Sequence, residues 1–542
     1  MAKKSTAKST RPAKSSPRKK GPPKPNAKNK NAVPGTTPGG KSEVVIRMYR
    51  QGLGDCFLLA FPPVSGTKPV YVLIDCGVLQ KTEREAEKMC SVVQHIKKTT
   101  DGAIDLLIVT HEHWDHVSGF SHAQDLFQQF KFDRVWLSWA ENLQDPLART
   151  VYDDLAKKKK KVEAALGLVA QLGLQDKFQA ASDDPNARRM NDDIETTKSI
   201  LGFLGMADGA GLAAAKRMTL GQTMNWVRSL VKPGDFCSPG ERRSLPGTAG
   251  VNVYVLGPPR DEDLIKKMDA TGEAGYAFQA DRVSLTGAID HLVTGTQDPP
   301  PGPFDLRRRI TREQAVSMPF FRDLYGFTED QLGDEGEAWR RIDDEWLVSG
   351  ISQLAIQIDQ RTNNSSLAVA FELPDGRTLI FPGDAQFGNW FSWNSVVFKD
   401  EAGKAVTVTT KQLLNRAVFY KVGHHGSHNA TRPESLHEMT SGDLVAMIPT
   451  DEQFALQQNK KGSWRMPAQE LNDDLKKYTS QRILRADRTQ RDLDDQGKKS
   501  DAAKAWDNFV ARVNFAKKEP LLPDLDPDKF PIYVEYHLSY EL

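Results

Sequence analysis

Three histidines and one aspartate lie within a short stretch of the chain, at His111, His113, Asp115 and His116. They directly follow an apolar run at 104–109, whose β-branched and aliphatic residues predict a buried strand. A loop at the end of a strand can turn several side chains toward one point. Neutral imidazoles together with a carboxylate suit zinc, manganese or iron. The H-x-H-x-D-H order therefore predicts a metal site, in preference to a loop of hydrogen-bonded histidines.

Two later apolar runs end in residues of the same chemical kind. The run 378–381 follows a Pro-Asp-Gly turn and leads into Pro-Gly and Asp384. The run 417–422 leads into Gly-His-His-Gly-Ser, which contains His424 and His425. A strand that ends in Gly-Asp, and then a strand that ends in two histidines, thus follow the first motif along the chain.

This order of motifs resembles the metallo-β-lactamase superfamily, a group of mostly dinuclear metal hydrolases. The G-L-G-D turn at 52–55, the N-N-S-S-L segment at 363–367 and the G-H-H-G-S segment at 423–427 are similar to its ComEC-like branch. The resemblance covers residues 44–140, 250–259 and 355–450. It implies an α/β fold, a four-layered αβ/βα sandwich in which helices cover two mixed sheets. The site is expected at one edge, where strand-end loops meet.

The resemblance also implies a set of ligands for two ions. The first ion takes two histidines, the second takes an aspartate and a histidine, and one aspartate bridges both. In that order these residues are His111, His113, Asp115, His116 and Asp384. One histidine after the later strand completes the second ion. His424 is favoured because it comes first after the strand, and His425 is the alternative. Asp75, at a third strand end, is expected to orient a ligand loop without binding metal.

The chemistry implied by such a site is hydrolysis by water that a metal ion activates. We expect zinc, as one or two ions, with manganese as the alternative. Asp115 is also a candidate for orienting or deprotonating the attacking water. His425 and His428 are candidates for holding a substrate phosphate or acting as the general acid, and support of neighbouring ligands is the equally weighted alternative. Trp114 is expected either to stack a nucleobase or to wall the site.

One departure from the superfamily pattern concerns the first ion. Where a further histidine is usual, this chain has Asn-Asn-Ser-Ser at 363–366. We therefore expect the first ion to bind weakly, or only when substrate supplies ligands. His291 is a possible substitute, although an ordinary surface or core histidine is the more common finding.

The distribution of charge predicts how the chain is organised. Residues 1–42 carry twelve Lys or Arg and no acid, and their apolar-poor composition predicts a disordered basic tail. The tail either gathers nucleic acid by counterion release or only keeps the protein soluble. Residues 43–542 are expected to form one domain with two mostly helical insertions, at 141–245 and 260–345. Five lysines at 157–161 predict a solvated helix face more readily than a phosphate contact.

Other features narrow the setting and the function. No apolar run has the length of a membrane span, and the basic start lacks the apolar core of a secretory signal. Four dispersed cysteines favour free thiols in the cytoplasm. The leading hypothesis is a phosphodiesterase or nuclease. The alternatives are a hydrolase of small esters, lactones or cyclic nucleotides, and a metal-binding module that recognises a partner.

Overall fold

The structure is a computed structural model that describes residues 41–171, 173–181, 183–206, 218–267, 310–327, 345–458, 464–497 and 503–541. Nearly all of the basic tail, His291 and most of the second insertion lie outside the described residues, so the expectations for them stay predictions. No helix in the described part of the chain is both long and apolar enough to cross a membrane.

Fifteen strands form two sheets within the described residues. In chain order the strands are β1 (Lys41–Tyr49), β2 (Phe57–Phe61), β3 (Val70–Ile74), β4 (Ala103–Ile108), β5 (Lys131–Ser138), β6 (Phe236–Cys237), β7 (Arg242–Ser244), β8 (Asn252–Gly257), β9 (Ala368–Glu372), β10 (Thr378–Phe381), β11 (Ala417–Lys421), β12 (Val445–Ile448), β13 (Ile483–Arg485), β14 (Val513–Phe515) and β15 (Tyr533–Glu541). The first sheet has the order β14-β15-β1-β2-β3-β4-β5-β6, and the second has the order β13-β12-β11-β10-β9-β8-β7. Both are mixed: β3, β4 and β5 run parallel, whereas β1 and β15 are antiparallel.

The helices within the described residues follow the strands and insertions. In chain order they are α1 (Glu85–Thr100), α2 (Trp114–His122), α3 (Gln124–Phe127), α4 (Pro146–Gln171), α5 (Leu174–Ala180), α6 (Pro185–Phe203), α7 (Leu220–Ser229), α8 (Glu262–Ile265), α9 (Arg312–Ser317), α10 (Pro319–Tyr325), α11 (Glu345–Asn364), α12 (Phe387–Ser392), α13 (Thr410–Asn415), α14 (Pro433–His437), α15 (Glu452–Gln458), α16 (Gln469–Tyr478), α17 (Gln490–Gly497) and α18 (Ala503–Val510).

The two sheets pack face to face, and helices cover their outer faces. Apolar side chains of both inner faces share one core, in which the rings of Phe57 and Phe381 lie 5.8 Å apart. Helices α1, α2 and α7 bury a second core against the first sheet. Helices α12, α13, α14 and α16 bury a third against the second sheet. The predicted four-layered sandwich is therefore confirmed.

Four helices form a separate layer beside the sandwich. Apolar residues of α4, α5, α6 and α11 make a cluster of their own, in which Leu155 and Val162 meet Ile194 and Ile358. Helix α11 ends at Asn364 and leads directly into β9. This helical layer, three of whose helices come from the first predicted insertion, is therefore anchored next to the loops where the metal site is expected.

Candidate metal centre

The H-x-H-x-D-H motif follows β4 and runs into the first turn of α2. Asp115 and His116 lie within that turn, and the loop after β3 crosses directly beneath it. The amide of Cys76 donates to the carbonyl of His116 at 2.8 Å. A Cβ on Gly77 would lie only 2.4 Å from the backbone of Asp115, so the close approach requires glycine there. The backbone thus fixes both side chains on a rigid helix end.

Four predicted site residues from three strand-end loops converge on one point. One donor atom from each lies within 4.8 Å of the others, and all four residues are buried. Nε2 of His425 lies 2.6 Å from Oδ2 of Asp115, and Nε2 of His116 lies 3.1 Å from Oδ2 of Asp384. We call Asp115, His116, Asp384 and His425 the four-residue cluster.

The structure favours His425, and not His424, as the histidine of this cluster. The ring of His424 turns toward its own loop, where Nδ1 lies 2.7 Å from Oγ of Ser427 and 3.2 Å from Oδ1 of Asn429. The backbone amide of His424 donates to Oδ1 of Asp384 at 2.8 Å. The structure thus brings His425, and not His424, into the group of donor atoms, and which of the two binds an ion stays a prediction. Both residues have left-handed φ values, 44° for His424 and 52° for His425.

Asp75 occupies the orienting position expected from the sequence. Its Oδ2 lies 2.8 Å from Nδ1 of His116 and accepts a hydrogen bond from Oγ1 of Thr110 at 2.7 Å. Its Oδ1 accepts from the amide of Thr110 at 2.7 Å. A carboxylate behind a ligand histidine fixes the ring and its tautomer, which leaves Nε2 of His116 facing the cluster.

Two charged residues that the sequence analysis missed complete the surroundings of the cluster. Nζ of Lys421 contacts the carboxylate of Asp55 and lies 3.1 Å from Oδ1 of Asp384. The side chains of Lys421 and Asp55 are 2 % and 3 % exposed. Each carried a signal in the sequence. Lys421 is the single charge in an otherwise apolar run, and Asp55 lies between a glycine turn and an apolar strand.

These contacts set the protonation of the cluster in the absence of a cation. Burial lowers the pKa of His116, but the carboxylates around it, led by Asp384, raise it well above the usual value. Burial raises the pKa of Asp384, but His116 and Lys421 hold it well below its usual range. Burial lowers the pKa of His425, but its hydrogen bond to Asp115 and the surrounding carboxylates together raise it. The cluster is thus a tightly compensated network of opposite charges.

His111 and His113, which we call the histidine pair, have a different environment. Their ring centroids lie 4.7 Å apart and both side chains are buried. Burial lowers the pKa of His113 to about 3 and that of His111 well below its usual value. Neither Nε2 atom has a hydrogen-bond partner. Both rings are therefore neutral, with a nitrogen available as a ligand.

The other predicted residues lie outside these two groups. His428 is exposed, so its catalytic role stays a prediction. Trp114 is 1 % exposed and packs beneath Gly205, which leaves no face for a nucleobase and fits the alternative of a wall. Phe203 of α6 was missed; its ring lies 5.9 Å from His113 and 5.4 Å from the ring of Trp464. Phe203 of the helical layer thus borders His113, and Trp464 packs against Phe203.

The lysine run is not only a solvated face. Lys159 of α4 donates to Oε1 of Glu112 at 2.6 Å, and Glu112 separates the two histidines of the pair in the sequence. Arg228 of α7 lies 3.9 Å from Glu112 and 2.5 Å from Glu141. The ligand loop is therefore tied to the helical layer by buried charge pairs.

The donor atoms fit a divalent cation. Nε2 of His111, Nε2 of His113 and Oδ1 of Asp115 are buried without a hydrogen-bond partner. An unsatisfied buried polar atom typically costs ~1–3 kcal/mol, so each of these three atoms needs a partner. Imidazole nitrogen and carboxylate oxygen are ligands that zinc and manganese accept. These residues therefore fit the metal ion that the resemblance implies.

Comparison with known families agrees with the fold and the donor set. The family model described as the metallo-beta-lactamase superfamily matches residues 52–128. The match spans the glycine turn, β2 to β4 and the whole H-x-H-x-D-H motif. No curated protein matches the chain. The resemblance found in the sequence is confirmed at the level of the superfamily.

Proposed function

Since this chain carries a metallo-beta-lactamase domain, which indicates a metal-dependent hydrolase, we propose that it is a phosphodiesterase or nuclease that uses zinc, or alternatively manganese. The observation that carries the proposal is the convergence of the four-residue cluster beside a histidine pair with unpartnered nitrogens. A cation held there supplies a Lewis acid that makes water nucleophilic near neutral pH and offsets negative charge on a phosphoryl group. In the overall reaction water adds to phosphorus and a P–O ester bond breaks.

The protein's own residues hold and orient the reacting groups. Oδ2 of Asp115 lies 2.6 Å from Nε2 of His425, whereas Oδ1 of Asp115 has no hydrogen-bond partner and can accept a proton from water. Phe203 and Trp464 exclude bulk solvent from the side of the histidine pair. A dry site of this kind strengthens each electrostatic contact to an anionic substrate.

The choice of a phosphodiester substrate rests on the basic tail and the similarity to the ComEC-like branch. Twelve positive and no negative charges at 1–42 suit a nucleic-acid partner, because phosphate binding releases counterions. The same proposal assigns the protein to the cytoplasm, since all four cysteines are free.

A hydrolase of small esters, lactones or cyclic nucleotides is the second candidate. One observation favours it: Phe203 is 3 % exposed and its ring centroid lies 5.9 Å from that of His113, so an apolar side chain borders the buried pair. A buried site of this kind admits a small substrate or a single-stranded end more readily than a duplex.

Hydrolysis assays decide between these functions. The substrates are single-stranded DNA, double-stranded DNA, RNA and bis-p-nitrophenyl phosphate, each with zinc and with manganese. The wild type is compared with the Asp115→Ala/His116→Ala variant. The matched control is His437→Ala/Asp474→Ala, which removes an exposed histidine–aspartate pair 3.3 Å apart.

Cleavage of nucleic acid by the wild type and the control, but not by the site variant, supports the proposal. Cleavage of only the small diester favours the second candidate. If the protein binds metal but hydrolyses none of these substrates, the phosphodiesterase and nuclease proposal fails.

A further inference from the structure

The Asn-Asn-Ser-Ser segment at 363–366 occupies the place where the superfamily has a further histidine for the first ion. Its side chains make hydrogen bonds to neighbouring loops of the protein. Oδ1 of Asn364 accepts from the amide of Asn389 at 3.1 Å, and its Nδ2 donates to the carbonyl of Lys267 at 2.9 Å. Oγ of Ser366 accepts from the amide of Asp384 at 3.2 Å. These side chains hold loops together, so the histidine pair needs its third ligand from elsewhere.

A carboxylate one turn earlier in α11 lies beside the pair. Oδ1 of Asp359 is 3.7 Å from Nε2 of His113, and the Asp359 side chain is only 13 % exposed. Its other oxygen, Oδ2, accepts from Nδ2 of Asn363 at 3.3 Å. One oxygen is thus held by the helix and the other faces the imidazole.

We propose that Asp359 is the third protein ligand of the first metal ion, together with His111 and His113; this rests on the proposed metal centre. The separation of 3.7 Å is too long for a hydrogen bond. It is close to the ~3.4 Å expected between two ligands of one tetrahedral ion with bonds of about 2.0–2.1 Å. Both Nε2 atoms of the histidine pair are buried without a hydrogen-bond partner, so each can take an ion as its partner. The donor atoms of His111, His113 and Asp359 do not all lie within 4.8 Å of one another, as those of the four-residue cluster do, so the ion draws them together.

This assignment gives the helical layer a direct part in the metal centre. Helix α11 packs with α4 and α6, and Arg361 of α11 pairs with Asp154 of α4. Lys159 of α4 in turn holds Glu112, between the two histidines. Docking of this layer on the sandwich therefore brings the third ligand to the first ion. The centre takes two histidines and a carboxylate from two separate parts of the chain.

Counting bound ions tests the proposal without relying on activity. The chain is stripped of metal, dialysed against graded zinc concentrations, and analysed for zinc per chain by mass spectrometry. The variants are Asp359→Asn, which keeps the shape of the side chain, Asp359→Ala, and Asp359→His, which supplies a nitrogen ligand. The control is Gln357→Ala, on the same helix, and circular dichroism checks that each variant is folded.

The expected result is two ions per chain in the wild type, the control and Asp359→His. In Asp359→Asn and Asp359→Ala one ion stays bound, while the dissociation constant of the other rises more than about 100-fold. That exceeds the ~10–100-fold loss typical of a residue that only orients a ligand.

Two ions in Asp359→Asn with a smaller loss of affinity would overturn the assignment. One ion in both the wild type and Asp359→Asn would also overturn it and leave the proposed hydrolase standing on the four-residue cluster. Binding of no ion by the wild type would defeat the proposed function itself.

Discussion

The histidine pair lies on the same loop as Asp115 and His116 of the four-residue cluster, yet the protein surrounds the pair and the cluster differently. His116 and Asp384 of the cluster are each in contact with further charged groups, Asp75 and Lys421. The Nε2 atoms of the histidine pair instead have no hydrogen-bond partner, and the ring of Phe203 lies next to His113. The cluster is therefore held in shape by its own charges, whereas the pair acquires its partners when an ion and the helical layer are in place.

The largest expected effect comes from breaking the cluster at its histidine. In His425→Gln, Asp115 loses the partner at 2.6 Å and the second ion loses a ligand, so its affinity should fall more than about 100-fold. Hydrolysis should fall with it. In His424→Gln the ion count should stay as in the wild type, because that ring faces Ser427. Equal loss in both variants, or a larger loss in His424→Gln, would contradict the assignment of His425.

Lys421→Met removes the cation between two buried carboxylates. The free energy of unfolding of the metal-free protein should fall by ~3–5 kcal/mol, since Asp55 and Asp384 are left uncompensated. Bound zinc should recover part of this loss by supplying the missing positive charge. Urea titrations with and without zinc measure both effects. Lys411→Met, at a lysine that is 69 % exposed, is the control and should change little. A loss below about 1 kcal/mol, typical of a surface pair, would show that Lys421 does not hold the cluster.

Asp75→Asn tests the support behind one ligand of the cluster. The amide still bonds to Thr110 but no longer favours the correct tautomer of His116, so zinc affinity should fall ~10–100-fold. Equilibrium dialysis measures the change, with the exposed Asp133→Asn as the control. Unchanged affinity would mean that the backbone alone orients His116.

The smallest effect on the metal site is expected from a substitution in a third charge network, which lies on β1 and β15 of the first sheet. Burial raises the pKa of Glu535, but His537 and Arg47 lower it to about 2, below the ordinary value of 4.5. Its stabilising contribution is therefore present above pH 4.5 and is lost as pH falls through 2, by at most about 3 kcal/mol.

Glu535→Gln should flatten this acid dependence in urea unfolding between pH 5 and pH 3, while zinc binding at neutral pH stays as in the wild type. An acid dependence identical to that of the wild type would show that Glu535 is not the titrating group. Altered zinc binding would show that the network is coupled to the site.

The strands that lead into the candidate ligands were predictable, because nearby residues in the sequence mark where each strand ends. The run 378–381 coincides with β10, since a turn precedes it and Pro-Gly-Asp stops it. The order of the two histidines in the sequence did not reveal which one joins the four-residue cluster. Both histidines lie beyond the end of β11, so the alternation of side chains along a strand does not predict where they point. Left-handed φ values at His424 and His425 set the direction of each ring instead.

Residues that meet their partners only when distant parts of the chain pack together were harder to predict. Lys421 carried a visible signal as a single charge in an apolar strand, which pointed to a buried partner. Asp359 carried none, because one carboxylate in a helix is ordinary until the helix is placed against His113. The second insertion lies mostly outside the described residues, so its predicted role stays untested.

Removal and return of the metal tests the central claim most directly. Hydrolysis of bis-p-nitrophenyl phosphate is measured on chelated protein as zinc or manganese is added back, with bound ions counted in parallel. The account predicts no turnover without metal, recovery that follows ion binding in the wild type and in His437→Gln, and no recovery in His425→Gln. Turnover that survives complete removal of metal, or that returns equally in His425→Gln, would contradict it.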